Sequence, residues 1–174
     1  MNVMKVLDEI RSWKGKPKEL VAFLAESIEK DAKVFSQLIE VLKSGSDVEK
    51  GTAADVMKHV SKDKPEIVVP YIDDLVDYIN YKAPRVKWGV PETIGNLAQK
   101  FPTEVEKAVP NLLANTSDKS TVVRWCAAFA LTEIAKNNPK VGRELRSRME
   151  EITRNEKNNG VKNVYLKALK IMNK

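Results

Sequence analysis

Apolar residues return along this chain at three-to-four spacing, in blocks separated by short polar breaks, and the blocks themselves repeat. Met57, Ile94 and Leu131 share a column at a 37-residue step, as do Val60, Leu97 and Ile134, then Ala53, Val90 and Ala127, then Ser61, Ala98 and Ala135. One step back, Leu20, Phe23 and Leu24 occupy the same columns, and one step forward Val164, Ala168, Ile171 and Met172 do. A second series follows each block, Phe35/Ile72/Val109, Leu38/Leu75/Leu112/Met149 and Ile39/Val76/Leu113. Each repeat therefore reads as two amphipathic helices. Pro65, Pro102 and Pro139 sit between the two series at the same step, and a residue without an amide donor suits the first turn of the second helix.

The pattern predicts a cap helix within 1–16, whose apolar face is Val3, Val6, Leu7 and Ile10, then repeats at 17–45, 46–81, 82–117 and 118–157 and a last cap helix at 158–174. Within the repeats the helix pairs fall at 17–29 and 32–43, 47–60 and 66–80, 84–100 and 103–114, and 121–137 and 140–155. Gly45 closes the first pair, and Asp47 is the expected N-cap of the next helix. No strand alternation, phosphate-binding glycine loop or linker interrupts this plan, so the chain reads as one all-α domain.

Residues 118–135, DKSTVVRWCAAFALTEIA, resemble the first-helix pattern of HEAT repeats: an aspartate in the turn, Val-Arg, small residues, then Leu and a small residue before the break. Residues 84–98 repeat it with Val86-Lys87, and 47–60 with Glu49-Lys50. The resemblance to the armadillo/HEAT class covers about 17–173 and implies a right-handed α-α superhelix of about four helix pairs between caps. It also implies a noncatalytic scaffold for protein interaction. One enzymatic HEAT-like branch, the DNA glycosylases of alkylation repair, uses a tryptophan, a carboxylate four residues later and an arginine in the following repeat. Trp88 and Glu92 stand at that spacing, but Cys126 holds the arginine's slot, Arg124 lies two residues earlier and the carboxylate is Glu rather than Asp.

The charge of +6 over 174 residues is unevenly spread. From 136 to 174 there are eleven Lys or Arg against four Glu, a net of +7, which leaves −1 for the remainder. That third either keeps the protein soluble or draws in an anion, nucleic acid included. The first 13 residues carry Lys5, Asp8, Glu9 and Arg11 and so lack the core of a secretion signal. No apolar run approaches the ~18 residues that span a bilayer. These features, with Cys126 as the single cysteine, place the expected protein in the cytoplasm, not inserted in a membrane. His59 has no second histidine or cysteine partner, so no metal is expected, and neither a cofactor nor a catalytic residue is assigned.

Candidate partner-binding residues form four groups. Lys50, Lys87 and Arg124 make a basic column at the repeat step, which either holds phosphates or pairs with turn carboxylates such as Asp47 and Asp118. Trp88 and Trp125 follow that column, either stacking on bases or filling equivalent gaps between repeats. Arg143, Arg146 and Arg148 crowd the second helix of the last repeat, interleaved with Glu144, Glu150 and Glu151, and second helices are expected to line the concave face. Asp73, Asp74 and Asp77 give that face an acidic opposite end. Leu166 and Leu169 present apolar surface where a further helix is missing, a place for a protein partner or a homodimer contact.

Overall fold

The computed structural model describes residues 5–173, so Val3 of the expected N-terminal cap face lies outside the described residues. Helix α1 (Val6–Ser12) precedes the pairs. The first pair is α2 (Pro17–Lys30) and, after a 3-10 turn at Ala32–Val34, α3 (Phe35–Ser44). The second is α4 (Asp47–Asp63) with α5 (Pro65–Val68) and α6 (Ile72–Val76), and the third is α7 (Pro84–Leu97) with α8 (Val109–Ala114). α9 (Thr121–Asn137) and α10 (Pro139–Asn155) make the fourth, and α11 (Asn159–Met172) ends the stack. No strand occurs among the described residues.

Side-chain caps fix where several helices start. The Ser46 hydroxyl accepts from the Glu49 amide at 3.2 Å while the Glu49 carboxylate accepts from the Ser46 amide at 2.9 Å, a reciprocal pair that starts α4. The cap is thus Ser46 and not Asp47, whose carboxylate instead accepts from the Tyr81 hydroxyl at 2.6 Å. Ser120, Asn138 and Asn158 cap α9, α10 and α11 by accepting from the amides of Val123, Val141 and Val161. Each such cap contributes about 1 kcal/mol.

The second helices of the middle repeats are not continuous. Pro70 lies in a 3-10 turn, Val69–Tyr71, that divides α5 from α6, and Pro110 sits in the first turn of α8 behind a 3-10 segment, Glu104–Ala108. A proline inside a helix removes one hydrogen bond and clashes with the preceding turn. In α10 no proline follows Pro139, and the helix runs unbroken for 17 residues. Pro102 opens no α-helix at all. Pro91 is tolerated within α7, which is packed between α4 and α9.

The first helices of neighbouring pairs pack directly on one another, α4 on α7 and α7 on α9. Small residues permit this: a Cβ on Gly89 would lie 2.8 Å from the Cβ of Ala54, and one on Gly95 would lie 2.6 Å from the Phe129 ring. α4, α7, α9 and α11 thus stack on one another as one continuous row. The core fills the space between the rows with Leu38, Met57, Leu75, Ile94, Leu112, Leu131 and Met149, all fully buried.

Candidate functional site

The basic column is brought into line and consumed internally. Lys50 is buried, donates to the Leu42 carbonyl and lies 5.4 and 5.3 Å from the ring centroids of Tyr78 and Tyr81. Burial lowers its ammonium pKa, opposed by the charge of Asp47. Lys87 pairs with Asp118 at 2.7 Å, and Arg124 pairs with Glu156 at 3.0 Å. Tyr81, Asp118 and Glu156 occupy similar places in the turns that follow the second helices, so each cation is held by the turn that ends its own repeat or begins the next. Of the two roles open to Lys50, Lys87 and Arg124 in the sequence, the geometry realises internal pairing. No free phosphate ladder results.

The two tryptophans are not equivalent. Trp88 is largely enclosed, and its indole nitrogen is buried without a hydrogen-bond partner. Trp125 is 38% exposed and lies parallel to Phe129, with ring centroids 5.8 Å apart. Phe129 leans over Gly95, so the aromatic pair spans the groove between α9 and α7. Glu92 lines the same groove and accepts from the Cys126 thiol at 3.4 Å. Further along α9, Glu133 pairs with Lys136 at 2.6 Å. Phe129 was not singled out in the sequence; its signal was the four-residue spacing from Trp125, which places both on one helix face.

Arg124 does not join Trp88 and Glu92. Its guanidinium donates to both Glu156 oxygens and to the carbonyls of Asp118 and Lys119. The Cys126 thiol is pushed up by burial and then by the Glu92 carboxylate, which leaves a packing residue rather than a nucleophile.

The arginines of α10 take different surroundings. Arg148 pairs with Glu151 at 3.4 Å, Arg146 donates to the Met172 carbonyl at 3.3 Å, and Arg143 is exposed. The acidic end of the second-helix row is partly neutralised, Asp73 by Lys107 and Asp74 by Lys43. On α11, Leu166 is 46% exposed, but Leu169 is buried with Val161, Tyr165 and Ala168. Leu169 therefore offers no docking surface. Ile171, expected in the core, is exposed instead, because no following helix covers its column.

Among the described residues no cluster of His, Cys, Asp and Glu has metal-binding geometry, and no helix is long and apolar enough to cross a membrane.

No protein-family model and no curated protein matches the sequence. Solved structures do match in fold. A designed armadillo repeat protein in complex with the peptide (KR)4 is 18% identical, with a TM-score of 0.74 over 94% of this chain and 78% of its own. A computationally designed armadillo repeat protein for modular peptide recognition is 21% identical, with a TM-score of 0.72 over 88% and 74%. An engineered protein is 18% identical, with a TM-score of 0.75 over 90% and 72%. The chain thus has the armadillo/HEAT-like α-solenoid architecture, a helical repeat fold.

Proposed function

We propose that the chain is a noncatalytic interaction module that holds a segment of a partner protein along the row formed by α4, α7, α9 and α11. The observation that carries this reading is the Trp125–Phe129 stack, whose Trp125 ring is 38% exposed, next to Cys126, which donates to Glu92 of α7. Aromatic surface of this kind anchors protein interfaces at small entropic cost. The neighbouring carboxylates Glu92 and Glu133 disfavour a phosphate backbone and favour apolar or cationic side chains, which aromatic faces also attract. Peptide recognition by two designed neighbours supports the same mode on this architecture.

A peptide array probed with the purified protein, together with labelled DNA and RNA titrated at two salt concentrations, tests the reading. Saturable peptide binding that weakens at least tenfold in Trp125→Ala, with helicity unchanged, is the expected result. Nucleic-acid binding that falls steeply with salt, without any peptide bound, would overturn it. Excision of an alkylated base that disappears in Glu92→Gln would overturn the noncatalytic assignment.

A further inference from the structure

The C-terminal ends of α9 and α11 and the first turns of α10 enclose a cleft of about 260 Å³ lined by Ala135, Lys136, Pro139, Gly142, Arg143, Arg146 and Met172. Three of these side chains are cationic and none is acidic. Their charges are unequally balanced. Lys136 is paired with Glu133, Arg146 spends one donor on the Met172 carbonyl, and Arg143 is exposed with no carboxylate in ion-pair range among the described residues. Gly142 lets α10 pack close at the base of the cleft: a Cβ there would lie 2.7 Å from the Ala135 carbonyl oxygen and 3.2 Å from the Met172 methyl group.

We propose that this cleft binds an acidic segment of a partner protein, with an apolar side chain seated against Ala135, Pro139, Gly142 and Met172 and a carboxylate held by Arg143 and Arg146. Arginine presents planar paired donors that match a carboxylate. Two features favour a protein segment over a nucleic acid. The Ala135, Pro139 and Met172 side chains that line the cleft suit an apolar side chain. No aromatic residue lines the cleft, so a base has nothing to stack on. The cleft is separate from the aromatic groove, since Lys136 lies about 16 Å along α9 from Trp125 at 1.5 Å per residue.

The test is fluorescence anisotropy with a short labelled peptide alternating glutamate and leucine, added to the full chain, with amide chemical shifts recorded in parallel. Saturable binding is expected, with shift changes centred on Gly142, Arg143 and Met172. Arg143→Glu should weaken it at least tenfold, whereas Arg148→Glu on the same helix, and Trp125→Ala in the aromatic groove, should leave it unchanged. The Arg143 side chain is exposed, so its replacement tests binding without disturbing the fold, which circular dichroism checks. The proposal fails if the peptide does not bind, if glutamine in place of glutamate binds equally well, if Arg143→Glu binds like the parent, or if single-stranded DNA of equal charge displaces the peptide at the same concentration. Because Trp125→Ala separates the two sites, failure here and failure of the proposed function at the Trp125–Phe129 stack are distinguishable.

Discussion

Arg124 and Glu156 meet in a two-pronged pair, Nε to Oε2 at 3.0 Å and Nη2 to Oε1 at 3.2 Å, and the Glu156 side chain is only 4% exposed. The pair joins the start of α9 to the turn before α11. Burial pushes the Glu156 carboxyl up, but Arg124 and the amides of Asn158 and Lys157 more than offset it, and the net shift is downward. Removing either partner leaves a charge poorly solvated. Arg124→Ala and Glu156→Ala should each cost about 3 kcal/mol in denaturant unfolding. The double variant should cost clearly less than the sum of the two. Additive losses would show that the two side chains do not act as a pair.

Acid should unfold the protein through its paired carboxylates. The Arg11 guanidinium and the Ser46 amide hold the Glu49 carboxyl at about 2, against an ordinary 4.5. Lys87 lowers Asp118, and Lys140 lowers Glu106. A carboxylate depressed on folding contributes stability that is complete above its unfolded value, so Glu49's contribution erodes from pH 4.5 downward and is gone once the pH passes about 2. Arg11→Ala should raise the midpoint of acid unfolding followed by circular dichroism. A Glu49 carboxyl that titrates near its ordinary value in the folded parent would remove the basis of this prediction.

Cys126 should resist thiol reagents in the folded protein. It is 1% exposed, and burial and Glu92 both disfavour the thiolate. Labelling at mildly alkaline pH should be slow without denaturant and become fast at the denaturant concentration that unfolds the helices. Rapid labelling of the native chain would mean that the α7–α9 contact opens locally.

Much of this architecture was legible because helix pairs impose their period on apolar columns: Met57, Ile94 and Leu131 all reached the core. Pro65 and Pro139 open helices as their lack of an amide donor requires. Pro102 does not, because the chain beyond it turns through 3-10 geometry before Pro110 opens α8. The columns also misjudged the last helix: Ile171, expected inward, is exposed, and Leu169, expected as open apolar surface, is buried. The aromatic groove was half visible: Trp88 and Trp125 share a column, but only the surroundings of each, a closed indole and an open stack, separate their roles. The cleft at Arg143 was hidden because it joins residues from three helices, and spacing along α10 says nothing of Met172 or Ala135.

Each cation of the basic column is answered by a different chemistry in the following turn: two phenol rings for Lys50, an aspartate for Lys87, a buried glutamate for Arg124. The repeats are thus alike in outline yet keyed at their seams. A chain reassembled with its third and second repeats exchanged would part Lys87 from Asp118 and strand both beside the wrong neighbour. The linear order of the units is written into their junctions, and lengthening such a protein by copying one repeat would require a matching lock for every key.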